Sequence, residues 1–313
     1  MTTLSVIVPV YNEQDSLAEL AAGVVAHVPG DVDLIQLLFV DDGSTDDSFQ
    51  QIQSIAKEYA CVCAVRLAVN CGKATALQAG FDRAKGDIVI TMDADLQDDP
   101  AEIPRFVEAL NQGYDLVSGW KEHRQDPWHK TWPSRLFNGT VARVFSLPLH
   151  DFNCGFKAFR GPLCRQLQLY GELHRYVPVL AKYRGARITE IPVRHHPRPH
   201  GKSKYGVERL FKGCLDLITV VVTTRFLRRP LHFFGGLGLL AVLIGGGCLF
   251  YLSILWLGGA RPIGNRPLLF YGMALLAVGV QLLSLGIVAE LFIRFNHQKL
   301  KPVIAETLSL PNE

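Results

Sequence analysis

Two apolar runs in the C-terminal third constrain this chain more than any other feature. Leu231–Leu257 and Pro267–Ala289 contain no Asp, Glu, Lys or Arg. Each exceeds the roughly 20 residues an α-helix needs to cross a bilayer core. The link between them, Gly258–Arg266, is too short to form a domain, so both flanking segments are expected on the same side of a membrane. Arg225, Arg228 and Arg229 precede the first run, and Arg294, Lys299 and Lys301 follow the second. The link holds only Arg261 and Arg266, so the excess of positive charge puts both termini in the cytoplasm. The competing reading is a helical hairpin buried in a soluble protein, and the lengths count against it. The expected spans are about 231–257 and 267–293, with a cytoplasmic tail over 294–313.

The preceding part of the chain is of another kind. A formal charge of +3 is too small to indicate nucleic-acid binding. The charge is unevenly distributed: Lys202, Lys204, Arg209, Lys212, Arg225, Arg228 and Arg229 all fall just ahead of the first apolar run. That position suits an anionic membrane surface or a phosphorylated ligand. From Val207 to Thr224, Leu210, Phe211, Leu215 and Ile218 alternate with charged residues, as expected of amphipathic helix at a membrane interface. Residues 201–230 therefore form an expected basic loop and interfacial segment. The seven cysteines show no zinc spacing, and an odd count argues against a secreted disulfide framework. The apolar segment Leu4–Val10 is short and is followed by Asn12-Glu13-Gln14-Asp15, so it is not expected to be a signal peptide.

Residues 1–200 alternate between strand and helix signals. Strands are expected at Leu4–Val10, Leu34–Val40, Cys61–Leu67, Asp87–Met92 and Asp115–Ser118. Helices are expected at Gln14–His27, Asp46–Tyr59 and residues 73–84, with another opened by Pro100. Further along come helix around Arg135–Phe145, strand near Phe156–Phe159, helix around His174–Tyr183 and strand at Arg187–Val193. Such alternation predicts an α/β domain, a mainly parallel sheet with helices on both faces. Ligands of these sheets bind at the carboxyl ends of the strands, where the polar motifs of this chain fall.

The strongest chemical signal is Asp93-Ala94-Asp95. In extended backbone, alternate side chains share one face, so both carboxylates can approach one cation. Hard oxygen donors suit Mg²⁺ or Mn²⁺, which keep positions open for diphosphate oxygens. On its own the triplet is a weak signal. It is strengthened by Val8-Pro9-Val10-Tyr11-Asn12-Glu13 after the first strand, Val40-Asp41-Asp42-Gly43-Ser44 after the second, and Leu96-Gln97 after the acidic pair itself.

Together these segments resemble the inverting GT-A transferases of glycosyltransferase family 2, over roughly the first 230 residues. The resemblance implies nucleotide contacts from Pro9, Tyr11, Glu13 and Asp42, with Asp93, Asp95 and Gln97 around the metal. Asn70-Cys71-Gly72-Lys73 matches a family segment near the nucleotide, although a surface lysine at a helix start explains Lys73 nearly as well. The segment is not a phosphate loop, because the G-x-x-x-x-G-K-[ST] pattern fails. Asp151-Phe152-Asn153-Cys154-Gly155-Phe156-Lys157, Ile191-Pro192-Val193 and Gly201-Lys202-Ser203-Lys204-Tyr205 narrow the resemblance to polyprenyl-phosphate glycosyltransferases. The two-span anchor is most like the bactoprenol glucosyltransferase branch.

That resemblance implies a nucleotide-sugar donor, a polyprenyl phosphate acceptor such as undecaprenyl phosphate, and a bacterial cytoplasmic membrane. Arg124 and Arg135 are expected on the acceptor phosphate, which guanidinium binds in a bidentate way, with Ser134 and Asn138 adding hydrogen bonds. Arg198, Lys202 and Lys204 are expected near the donor diphosphate. Asp151 is expected to orient the acceptor or a basic neighbour more than to remove a proton, since a phosphate with a second pKa of about 6 is already anionic near neutrality. His123, His129, His150, His195 and His196 lack metal spacing. For Glu290, snorkelling or pairing with Arg294 is the expected explanation.

Glucose from UDP-glucose is the expected sugar by resemblance, with GDP-mannose and UDP-aminoarabinose donors as alternatives. The glycine-rich faces Gly235-Gly236-Gly238 and Gly245-Gly246-Gly247 permit close helix contact, and the resemblance implies a homo-oligomer, possibly a tetramer. Three rival readings make different demands on the sequence. A processive synthase would carry a Q-x-x-R-W motif and more spans. A degenerate transferase that only binds a partner would not need the full set of acidic motifs. A transporter would show buried charge pairs or broken helices.

Overall fold

In a computed structural model the chain divides into two units, Met1–Leu217 and Ile218–Glu313. The structure describes residues 1–122, 138–194, 196, 230–259 and 262–296. The expected interfacial segment and the 294–313 tail fall largely outside them.

In the first unit, strands β1 (Thr2–Val10), β2 (Val32–Asp41), β3 (Val62–Arg66) and β4 (Ile88–Thr91) alternate with helices α1 (Leu17–Ala26), α2 (Ser48–Glu58) and α3 (Lys73–Phe81). Helix α4 (Ile103–Asn111) then leads to β5 (Leu116–Trp120), β6 (Lys157–Arg160) and β7 (Ile188–Pro192). The seven strands stand in the order β3-β2-β1-β4-β6-β5-β7. Pairing is parallel except for β6, which runs antiparallel to both β4 and β5. The sheet core is built from β-branched and aromatic residues such as Val6, Val8, Phe39, Ile90, Phe106 and Phe156, all fully buried. Residues buried on both faces of a central strand read as continuous apolar runs, which is why β1 and β4 are so legible.

Local departures from expectation have simple causes. The first helix begins at Leu17 instead of Gln14 because Ser16 folds back, its hydroxyl donating to the Glu13 carbonyl at 2.9 Å. Pro100 opens a single 3₁₀ turn, Pro100–Glu102, ahead of α4, with Asp99 accepting from the Ala101 N–H at 2.9 Å. A short helix, Gly161–Gln166, follows β6 directly and was not expected.

In the second unit, a π-turn at Leu231–Gly235 runs into helix Gly236–Leu257, and Pro267–Asn296 forms the second helix. Both are long and apolar enough to cross a membrane, and most of their side chains face outward, among them Leu240, Leu243, Phe250 and Phe270. The glycines sort into two groups. A Cβ on Gly238 would lie 2.7 Å from the Gly279 carbonyl oxygen, and one on Gly245 would lie 2.7 Å from that of Gly272. These glycines bring the two helices of one hairpin together. Gly236, Gly246 and Gly247 have nothing within 4 Å of a built Cβ.

Gly279→Leu is therefore expected to destabilise the detergent-solubilised protein by about 1–3 kcal/mol through overpacking, whereas Gly246→Leu leaves thermal unfolding unchanged. Equal melting curves for the two variants would overturn this packing. Glu290 also has a specific partner: its carboxylate accepts from the Leu231 backbone N–H at 3.4 Å, capping the start of the first span. The expected pairing with Arg294 falls on a side chain outside the described ones.

Candidate active site

The site begins where β1 and β2 end side by side. Asn12 adopts a left-handed conformation, φ 56°, that turns the chain out of β1. Its N–H donates to the Ser44 hydroxyl at 3.0 Å, and its side-chain oxygen accepts from the Thr45 N–H at 2.8 Å. The Glu13 N–H donates to Ser48 Oγ at 3.0 Å. The first two motifs are thus a single interlocked structure, and Pro9, Tyr11 and Glu13 stand half-buried at its rim.

Asp42 is buried, and both its oxygens are engaged, accepting from the N–H groups of Cys71 at 2.7 Å and Gly72 at 2.9 Å. Burial raises its pKa, against the lowering effect of those two hydrogen bonds. Asp42 therefore clamps the Asn70–Lys73 segment beside β2. Gly43 permits the approach, because a Cβ there would come within 2.6 Å of the Val69 backbone, and its φ of +69° suits glycine.

That clamp sets the start of α3, and with it Lys73. The lysine is not a free surface residue: its ammonium is ion-paired with Asp93 at the carboxyl end of β4. The Asp93 side chain is 26% exposed. Burial opposes its ionisation, but Lys73, then Lys121 and Lys157, outweigh that effect and hold the carboxyl down at about 2. Leu96, at φ 59°, turns the chain sharply, and the Gln97 N–H donates to Asp95 Oδ1 at 3.2 Å. Beneath the turn lies Asp98, which accepts from the Asp93 N–H at 3.3 Å and pairs with Lys121 at 3.4 Å. Burial works against the charge of Lys121, but Asp98 above all raises its pKa.

No group of three or more His, Cys, Asp or Glu side chains able to hold a metal occurs among the described residues. Two half-buried carboxylates do fit a hard cation that draws its remaining ligands from a diphosphate and water. They do not make a closed structural site.

The third wall is the segment leading into β6. Asp151 is 1% exposed and accepts from the Asn153 N–H at 3.0 Å. Gly155 lies against Asp93, where a Cβ would meet the carboxylate at 2.5 Å. The Thr91 hydroxyl donates to the Gly155 carbonyl at 2.8 Å, and the buried Lys157 ammonium donates to the Phe152 carbonyl at 3.3 Å and to that of Cys154. Burial pushes the Cys154 thiol up to about 12, so it stays a thiol. His174, behind Lys157, is driven well below its usual range by burial and then by Lys73, Arg175 and Lys157, so it is neutral.

Asn138, expected on the acceptor, is buried and donates to the His150 carbonyl at 2.9 Å. It supports the turn into Asp151 instead of presenting an exposed donor. Glu190 holds the same turn, binding the His150 N–H at 2.8 Å and the imidazole, which stacks on Trp120. On the far side, the His196 N–H donates to the Gln97 carbonyl at 3.0 Å and its ring pairs with Asp99 at 3.3 Å. The chain leaving β7 is thereby stitched to the segment that follows the acidic pair.

The structure thus brings Tyr11, Glu13, Asp42, Lys73, Asp93, Asp95, Gln97 and Asp151 to one end of the sheet. Arg124, Ser134, Arg135, Arg198, Lys202 and Lys204 lie outside the described residues. Asp98, Lys121 and Lys157 were not singled out from the sequence. Lys121 was accessible to the same rule that found the others, since it directly follows a parallel strand.

Residues 5–167 match the sequence profile of glycosyl transferase family 2. Dodecaprenyl-phosphate galacturonate synthase of Rhizobium johnstonii is 39% identical over 301 residues, covering 93% of this chain and 88% of that protein. Undecaprenyl-phosphate 4-deoxy-4-formamido-L-arabinose transferase of Edwardsiella ictaluri is 36% identical over 302 residues, covering 96% and 91%. Among solved structures, glucosyl-3-phosphoglycerate synthase from Mycobacterium tuberculosis in complex with Mn²⁺ and UDP-glucose gives a TM-score of 0.55 at 21% identity, over 71% of this chain and 79% of that one. The last likeness speaks for the GT-A fold alone. The profile match, together with relatives this similar over nearly the whole length, makes the chain a member of glycosyltransferase family 2.

Proposed function

We propose that the protein transfers a single sugar, a hexose, hexuronate or amino-substituted pentose, from a nucleotide sugar to polyprenyl phosphate, with inversion, at the cytoplasmic face of a bacterial inner membrane. The observation that carries this reading is the ion pair of Lys73 with Asp93, flanked by Asp95, at the strand ends where the two other motifs interlock. Cationic and anionic groups packed this closely suit a diphosphate bound through a cation. The relatives' substrates, lipid phosphates, agree with two helices long enough to anchor the protein where such a lipid resides.

An oxygen of the acceptor phosphate forms the new bond to the anomeric carbon. The bond from that carbon to the diphosphate breaks, and its electron pair leaves with the nucleoside diphosphate. Mg²⁺ or Mn²⁺ held by Asp93 and Asp95 would supply positive charge to that leaving group. Lys73 lies at the same carboxylate and adds a second cation to the leaving side. Asp151, buried and fixed by the Asn153 N–H, orients the acceptor side, where an anionic phosphate needs no base. Arg124 and Arg135 on the acceptor, and Arg198, Lys202 and Lys204 on the diphosphate, complete the assignment.

The named relatives use galacturonate and formamido-arabinose, so UDP-galacturonate takes precedence over UDP-glucose as donor. The test incubates detergent-purified protein with undecaprenyl phosphate, Mn²⁺ and each labelled donor: UDP-galacturonate, UDP-glucose, UDP-4-deoxy-4-formamido-L-arabinose and GDP-mannose. Label is expected in the lipid phase from one donor, and EDTA is expected to abolish it. Transfer to water alone, or equal transfer with EDTA present, would overturn the reading.

A further inference from the structure

Lys157 sits where a soluble sheet has no structural need for a charge. It lies on β6 in register with Thr91 of β4 and Ser118 of β5. Residues paired across neighbouring strands share a face, so three buried polar side chains form a row across the middle of the sheet. An ammonium buried among them is costly unless its protons are bonded. Two of its hydrogen bonds go to carbonyls of one short segment, those of Phe152 and Cys154, while Thr91 holds the adjacent Gly155 carbonyl. The segment fastened in this way carries Asp151 at one end, and at the other Gly155, whose bare Cα lies against the Asp93 carboxylate.

We infer that Lys157 is a positioning residue: by tethering the 152–155 backbone from beneath, it fixes Asp93 for the cation and Asp151 for the acceptor together. This rests on the function proposed above. The tether has one competitor, because the charge of Lys157 itself repels a cation at Asp93. Of the three lysines that act on Asp93, however, Lys157 acts most weakly by charge, whereas its two hydrogen bonds hold the 152–155 backbone directly. The predicted sign is therefore weaker cation-linked binding when Lys157 is removed. Thr91 acts on the same segment without any charge and gives an independent handle.

The test measures UDP affinity by titration calorimetry on detergent-purified full-length protein, with and without Mn²⁺. In wild type, Mn²⁺ is expected to tighten UDP binding. In Lys157→Met that gain shrinks about tenfold, while metal-free UDP affinity, set at the β1 and β2 ends, stays the same. Lys157→Arg recovers part of the gain, and Thr91→Val reduces it about threefold. An unchanged or larger gain in Lys157→Met overturns the inference. So does an equal loss of metal-free binding, which would make the residue a general support of the fold. Should Lys157→Met not unfold cooperatively, Thr91→Val decides alone, and a wild-type gain in that variant overturns the inference. Failure of wild type to bind either UDP or GDP would instead strike the proposed function.

Discussion

Asp93→Asn is expected to lower turnover by about 10³-fold, equivalent to about 4 kcal/mol of transition-state stabilisation. The substitution keeps the shape of the side chain and removes only its charge. Lys73 then loses its ion-pair partner, Lys121 loses part of its balancing field, and the cation site loses one of two carboxylates. Stability should respond as well. The Asp93 carboxyl is held down at about 2, below the usual carboxylate range, so the folded state favours the ionised form. A depressed acid contributes stability above its unfolded pKa, and that contribution is lost as pH falls through the folded value. The variant should be less stable than wild type at pH 7, by on the order of 2 kcal/mol. The gap should narrow between about pH 4 and pH 2, as the wild-type carboxyl is protonated too. Activity within tenfold of wild type would remove Asp93 from the reaction. A stability gap independent of pH would remove its ion pair with Lys73 from the energetics.

The parts of this molecule that were legible in its sequence are those written in side-chain period and in strand-end position. Strands β1, β2 and β4 announce themselves by apolar runs that end in acidic turns, and the charge-free spans by their length. Direction is not written in a strand of four residues, so β6 was expected as a strand but not as the one antiparallel member. Burial of a charge is not written either. Lys157 was quoted inside a motif without a role, because a lysine carries no mark of lying beneath a sheet end instead of on its surface. The glycines of the spans illustrate a subtler limit. Their spacing reports close approach but not the identity of the approaching chain, and here Gly238 and Gly245 serve the hairpin itself. Asn138 was expected to meet the acceptor directly. Its amide turns inward to the His150 carbonyl, a choice made by the turn into Asp151 that residue type alone does not dictate.

Gly155→Ala is expected to lower turnover about 10²-fold although it adds a single methyl group. The new Cβ would stand 2.5 Å from Asp93 Oδ2 and 2.6 Å from both Cγ and Oδ1. One side must move. The Gly155 backbone is held by the Thr91 hydroxyl, and its neighbours are held by Lys157. The Asp93 backbone is held by Asp98. What can yield is the Asp93 side chain, and rotating it breaks its pairing with Lys73 and withdraws an oxygen from the cation site. Overpacking of this kind costs about 1–3 kcal/mol, and a displaced carboxylate costs catalysis more than folding, since an ångström of misplacement is worth about 10²-fold. The expected signature is therefore a large fall in turnover with a modest fall in melting temperature and unchanged metal-free UDP binding. Gly30→Ala, where a built Cβ meets nothing within 4 Å, should match wild type throughout. If Gly155→Ala retained more than a third of wild-type turnover, the segment before β6 would have to be softer than its tethers imply. The close contact between Gly155 and Asp93 would then be incidental to the chemistry.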